Sequence, residues 1–245
     1  MLITALADMV IWYEGNGINS DVVLAIDASA SMLADDYQPS RLEVAKSTAV
    51  EVISTLDYST KVGIVSFAGT SIIIQPLTTD KIILRDSLSK VQVINTGGTA
   101  IGEAILLSTN ILSVQESNTK GKTIVLITDG QSNIGLKPED AISYANDHGI
   151  IVNTIGIATE EGGKFADASA ISQLDKTTLI NIADKTGGKF YHAQNKEELE
   201  LSLLNIFKSE TIKKEIPART YLLLIAVLLF FIEWILSNTK YRIMP

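Results

Sequence analysis

The stretch that decides the fold is Val22–Met32, VVLAIDASASM. Five apolar residues run without a polar break into Asp27, and Ser29 and Ser31 follow at alternating positions. A continuous apolar run is what a parallel strand needs when both its faces are covered. Asp and Ser at a strand end are also ordinary turn formers and helix N-caps. The motif therefore takes its meaning from the chain around it.

Moving outward, strand-like and helix-like patterns alternate. After the first strand, PSRLEVAKSTAVEVISTL keeps Leu42, Ala45, Ala49, Val52, Ile53 and Leu56 at helical spacing. Ser40 and Glu43 form a capping box at its start. KVGIVSFAG and TSIIIQPL follow, joined by a short turn at Gly69, too short for a crossover, so the pair reads as an antiparallel hairpin. TAIGEAILLSTNIL is a helix with Ile101, Ala104, Ile105, Ile111 and Leu112 on one face. KTIVLITDG is a second fully buried strand, and it too ends in an aspartate, Asp129. KPEDAISYANDHG reads as a helix with Pro138 in its first turn and Gly149 closing it. A strand (IIVNTIGIA), a helix (DKTTLINIADKTGG), a short strand (KFYHA) and a last helix opened by Asn195 complete the pattern. The order predicts an α/β fold: a doubly wound, mostly parallel open sheet with one antiparallel edge strand and helices on both faces.

Ligand sites in such sheets lie beyond the carboxyl ends of the strands. The strands ending in Asp27 and Asp129 should deliver both carboxylates to that edge. Ser29 and Ser31 share side-chain parity with Asp27, and the glycine-rich loop NTGGTAIGEA puts Thr99 at a helix start. Two carboxylates and three hydroxyls make a hard oxygen donor set. It suits Mg²⁺, with Mn²⁺ or Ca²⁺ as substitutes, and suits Zn²⁺ badly. Asp35 and Asp36 add an acidic rim that concentrates the cation and discriminates among partners.

Other chemistries fit less well. A phosphoaspartyl phosphatase needs a second acid two residues after its nucleophile, where this chain has Ser29. The two histidines, His148 at a helix end and His192 in the last strand, are placed away from Asp27, so a hydrolytic serine lacks its base. No G-x-G-x-x-G follows the first strand. The expectation is a protein that is not an enzyme. With 20 basic against 28 acidic residues the formal net charge is −8, which argues against a nucleic-acid partner. The absence of cysteine removes disulfides, thiolate catalysis and Cys-ligated zinc.

The 245-residue chain suits one medium domain with an appendage. Tyr221–Leu236, YLLLIAVLLFFIEWIL, carries one charge, Glu233, and as a helix spans roughly 24 Å. Tyr221 and Trp234 sit near its ends, with Arg219, Lys240 and Arg242 flanking. It reads as a transmembrane helix, the alternative being a buried core helix. The amino-terminal MLITALADMVIW is no signal peptide. It reads as an outer strand or as the remnant of a membrane segment. The expected organisation is an N-terminal segment over 1–19, the α/β domain over 20–207, a linker over 208–220, the membrane helix over 221–236 and a short basic tail over 237–245.

Taken together, DASAS, GGTAIG and LITDG resemble the three loops of the metal-ion-dependent adhesion site of von Willebrand factor type A domains. The resemblance covers roughly residues 20 to 207. It implies that Asp27, Ser29, Ser31, Thr99 and Asp129 occupy the family's metal-ligand positions, the aspartates acting partly through water. It also implies that a partner protein's carboxylate fills the open coordination position. More narrowly, SMLADDYQPSRLEVAK and the downstream apolar helix resemble membrane-anchored A-domain proteins of aerotolerance (Bat-type) operons, whose neighbours are often MoxR-type AAA ATPases. Two roles follow: adhesion to a partner presenting Asp or Glu, or an accessory subunit that recruits such an ATPase, or other Bat-type proteins, to a client. A membrane segment upstream of Met1 would put the domain outside the cell, the side favoured here; a true start at Met1 would put it inside. The family most often has glycine where this chain has Ala30, which raises the prospect of a strained loop if that position needs a positive φ.

Overall fold

The structure, a computed structural model, describes residues 10–16, 20–94, 97–114, 120–130, 134–159, 163–164, 171–172, 174–208, 211–217 and 227–235. The chain divides into two compact units, Gly17–Glu210 and a second formed by Met1–Asn16 with Thr211–Pro245.

The larger unit is built on a six-stranded sheet. Its strands are β2 (Ser20–Asp27), β3 (Val62–Phe67), β4 (Ser71–Thr78), β5 (Gly121–Thr128), β6 (Ile151–Ile157) and β9 (Phe190–Ala193), in the order β4-β3-β2-β5-β6-β9, while β7 (Gly163–Lys164) and β8 (Ile171–Ser172) form a separate antiparallel pair. All neighbours run parallel except β3 and β4, the expected hairpin at one edge. β2 is buried along its whole length between β3 and β5, as its unbroken apolar run requires.

Six helices pack on this sheet: α1 (Arg41–Thr55), α2 (Lys81–Ser89), α3 (Ile101–Ser113), α4 (Pro138–Asp147), α5 (Lys176–Thr186) and α6 (Lys196–Lys208). The alternation of β2 sorts the core into two layers. Val22, Leu24 and Ile26 face α1, α2 and α6, among them Val52, Leu88 and Leu203. Val23 and Ala25 face α3, α4 and α5, among them Ile105, Ile142 and Ile182. Ser40 caps α1 by accepting from the Glu43 N–H, as the capping box predicts. α2 is an addition to the expected order. Asp80 caps it by accepting from Ile82 and Ile83, and Leu84 and Leu88 bury its inner face.

The second unit is simpler. β1 (Val10–Asn16) and β10 (Thr211–Pro217) pair antiparallel, from Val10↔Pro217 to Asn16↔Thr211. Of the two readings of the amino-terminal segment, the outer strand is the one found for Val10–Asn16, and part of the expected linker is its partner strand. Residues 1–9 and the basic tail 237–245 lie outside the described residues. Of the apolar run 221–236, residues 227–235 form a helix, α7, and every one of them is exposed. Among the described residues no helix is long and apolar enough to cross a membrane, and the rest of the expected span lies outside them.

Candidate metal centre at the carboxyl edge of the sheet

β2 and β5 are adjacent and in register from Ser20↔Gly121 to Ile26↔Ile127, so the residues that leave their ends, Asp27 and Asp129, emerge side by side. Both carboxylates are fully buried. Ala28 donates to the Phe67 carbonyl at 2.7 Å, which ties the loop after β2 to the end of β3. The chain then turns into a short 3-10 segment, Ala30–Leu33. This turn, rather than the strand parity expected from the sequence, brings the hydroxyls of Ser29 and Ser31 to 3.0 Å of each other. It also resolves the question at Ala30: the residue opens a right-handed 3-10 turn, which needs no positive φ.

The third loop is tied to the first by backbone. Ile94 donates to the Ala28 carbonyl at 2.8 Å, and Ala100 donates to the Ala68 carbonyl at 2.7 Å. Thr99, one residue before Ala100 and 3% exposed, is thereby fixed at the same edge. Gly102 lets this corner close. A Cβ there would lie 2.2 Å from the Leu136 carbonyl oxygen, so the loop after Asp129 rests directly on the first turn of α3. Gly130 does the same on the other side of Asp129. Its φ is +84°, and a Cβ would meet the Asp175 carbonyl oxygen at 2.7 Å. Asp175 in turn donates its N–H to the Asp129 carbonyl at 3.0 Å.

The side-chain electrostatics are unusual for a buried corner. Asp27 accepts from the Ser29 N–H at 2.8 Å and from the Thr128 hydroxyl at 2.5 Å. Even so, burial first, and then the charge of Asp129, push its carboxyl up to about 7. Arg41, wholly buried at the start of α1, donates Nη1 to Asp129 Oδ2 at 3.4 Å. Its Nε and Nη2 form a fork onto Asp36 at 2.8 and 2.7 Å. Thr159, just past β6, donates to Asp36 through its N–H at 3.0 Å and its hydroxyl at 3.2 Å. Burial alone would raise the Asp36 carboxyl, but these hydrogen bonds and the guanidinium hold it below its ordinary range.

The expected rim therefore divides. Asp35 is exposed, while Asp36 turns inward onto Arg41 and Thr159, because a buried guanidinium must be paired. Next to Asp36, Tyr37 donates its hydroxyl to the Ala193 carbonyl at the end of β9, 2.7 Å away. The segment 34–40 thus straps the loop after β2 across the ends of β6 and β9. The histidines do other work: His148 Nδ1 lies 2.8 Å from the Tyr144 carbonyl at the end of α4, and His192 Nε2 lies 3.0 Å from the Ala158 carbonyl.

The donor set fits a hard divalent ion. Two buried carboxylates share a corner with hydroxyls and the Arg41 guanidinium, and burial, together with the charge of Asp129, holds the Asp27 carboxyl high. Among the described residues no group of three or more His, Cys, Asp or Glu forms a metal cluster, so hydroxyls or water must complete any shell.

Comparison with known proteins identifies the fold. The von Willebrand factor type A domain family matches residues 22–131. The crystal structure of the conserved hypothetical protein BatB from Bacteroides thetaiotaomicron is 31% identical, with a TM-score of 0.66, over 78% of this chain and 98% of that one. The chain belongs to the von Willebrand factor type A family. Within the family it is similar to Bat-type proteins. An aerotolerance-related membrane protein from Bacteroides fragilis is 29% identical, TM-score 0.68, over 77% of this chain and 98% of that one. A UPF0353 protein of Nocardia farcinica is 32% identical over 203 residues, 73% of this chain and 59% of that protein. The chain spans about three fifths of the length of the curated relatives it matches. More distantly, proximal thread matrix protein 1 of the mussel byssus, in a form described with a zinc-occupied MIDAS motif, shares the fold at 22% identity and a TM-score of 0.64 over 85% of this chain and 49% of that one.

The sequence reading missed Arg41, Thr128 and Gly102. A basic residue at the start of an amphipathic helix reads as solvent-facing, and nothing local marks its partner 88 positions away. Thr128 and Gly102 did leave a trace, as neighbours of an aspartate and of a glycine-rich loop.

Proposed function

We propose that this is a membrane-held, divalent-cation-dependent protein-binding domain and not an enzyme. The single observation that carries the reading is the meeting of three loops at one strand edge, where two fully buried carboxylates stand beside the hydroxyls of Ser29, Ser31 and Thr128. Asp27, Ser29, Ser31, Thr99 and Asp129 would hold Mg²⁺, or Mn²⁺ or Ca²⁺ in its place. The ion supplies a Lewis-acidic point that a partner's Asp or Glu can reach. The chain's own residues do the rest. Ser29 N–H and Thr128 orient Asp27, Asp175 and Gly130 fix the loop of Asp129, and exposed Asp35 repels acidic surfaces that lack the bridge. The zinc-occupied motif of the byssus protein is in keeping with a cation on this fold.

The apolar run 221–236 is proposed as the membrane anchor. The exposure of its apolar residues in α7, such as Phe230 and Trp234, and the membrane assignment of the Bacteroides fragilis relative support this. In this reading the domain lies on the outer side of the membrane and other Bat-type proteins are among its partners; a MoxR-type ATPase belongs to the alternative, an accessory subunit whose domain lies inside. The test is capture of partners from solubilised membranes by the full chain. EDTA should abolish capture and Mg²⁺ restore it, and Asp27→Ala and Ser29→Ala should abolish both metal binding and capture. A partner held equally in EDTA would move the interaction to another face.

A further inference from the structure

We infer that Asp36, which touches none of the five proposed ligands, sets how tightly the site holds its cation by drawing the guanidinium of Arg41 away from Asp129. The inference rests on the reading of that corner as a cation site.

The geometry points there because Arg41 is shared unequally. Its fork onto Asp36, 2.8 and 2.7 Å, has the length of charge-assisted hydrogen bonds. Its contact with Asp129, 3.4 Å, is at the long limit. Asp36 is itself held from the far side by Thr159, so the fork has a fixed anchor. Arginine stays charged at any pH the fold survives. Inside this wholly buried corner the guanidinium divides its charge between the two carboxylates, with the shorter contacts on Asp36.

With Asp36 in place it leans outward, and Asp129 keeps its negative charge for an incoming cation. The charges are matched to that task. Asp27, Asp36 and Asp129 against Arg41 leave two negative charges when all are ionised, which a divalent ion neutralises. Without the Asp36 carboxylate, Asp129 becomes the main partner of Arg41, and an internal cation then competes with the external one. By linkage the effect runs both ways. A bound ion engages Asp129, returns Arg41 fully to Asp36, and tightens the strap 34–40 over the ends of β6 and β9. The strap lies beside Ser31 and carries Asp35, so cation occupancy is written into the surface a partner meets.

The experiment is calorimetric titration of the full chain with Mg²⁺ alone, for wild type, Asp36→Asn, Arg41→Met and the double variant. Circular dichroism melting shows in each case that the protein is folded. Asp36→Asn should bind Mg²⁺ about ten-fold more weakly, within the usual range of coupling between sites. In the Arg41→Met background the same change should have little effect, because the competitor is gone. Thr159→Val, which removes one contact to Asp36, should weaken binding in the same direction by less, and it serves as the reading if Asp36→Asn does not fold. Hydrogen exchange at 35–40 should slow on adding Mg²⁺ to wild type and not to Arg41→Met.

A folded Asp36→Asn with unchanged Mg²⁺ affinity overturns the inference and leaves Asp36 a structural tie. Equal losses in both Arg41 backgrounds overturn it too, since Asp36 would then act by another route. Wild-type protein that takes up no Mg²⁺ refutes the cation site itself, an outcome separate from the other two.

Discussion

Replacing Gly102 with alanine sets two effects of opposite sign against each other. Alanine is the better helix former, and in α3 it would return up to about 1 kcal/mol. The added Cβ, however, would lie 2.2 Å from the Leu136 carbonyl oxygen, 2.8 Å from its carbon and 3.2 Å from the Leu136 Cβ. Non-bonded carbons rest at about 3.5–4.0 Å, so helix and loop must separate by roughly 1 Å. The obstacle is main chain, which cannot swing aside as a side chain would, and Leu136 is packed against the core. Overpacking of this kind costs about 1–3 kcal/mol, so the clash wins by about 1 kcal/mol. For a domain of this size that is a fall in Tm of about 2–4 °C. The displaced loop runs from Asp129 and presses on the turn after Thr99, so Mg²⁺ affinity should fall as well. Thermal melting with and without Mg²⁺ measures both. Gly149→Ala is the control: its φ is +64° with nothing within 4 Å, so it should lose stability of the order of 1–2 kcal/mol while leaving Mg²⁺ affinity alone. A Gly102→Ala protein that melts higher than wild type with unchanged Mg²⁺ affinity would refute the account of how this corner is closed.

Asp27→Asn should abolish Mg²⁺ binding yet leave the metal-free protein at pH 8 at least as stable as wild type, because it removes a buried charge whose carboxyl sits at about 7. For the same reason metal-free wild type should gain stability as pH falls from 8 toward 5, since the folded state then binds a proton that the unfolded state does not; melting curves across that range that stay flat or fall would count against it. Thr99→Ala should keep the fold and lose on the order of 1–3 kcal/mol of cation or partner binding by titration. A chain ending at Pro217 should stay soluble without detergent while the full chain partitions into it, and equal behaviour of the two would remove the anchor.

Most of the architecture was legible because its signals are local. β2 and β5 announce themselves by apolar runs that end in aspartate, and the hairpin of β3 and β4 by a connection too short for anything else. α2 shows what a short element hides. Its cap at Asp80 and its Leu84–Leu88 spacing are present in the sequence, but nine residues after a strand leave little periodicity to see. At the site, the residue types could be read in advance and their mutual geometry could not. Ser31 joins Ser29 through a 3-10 turn, although strand parity had suggested the same meeting for a different reason. The inward turn of Asp36 depends on Arg41 and Thr159, the latter 123 positions away, and no local pattern encodes a pairing at that range.

The strand pair β1 and β10 has a mechanical consequence. Asn16 and Thr211, the last residue before the larger unit and the first after it, are partners in the same ladder. The two points at which the smaller unit breaks off and resumes are therefore neighbours. Tension between the outer ends, at Val10 and Pro217, would fall on the paired strands and open them like a zipper, one pair after another, from Val10↔Pro217 to Asn16↔Thr211.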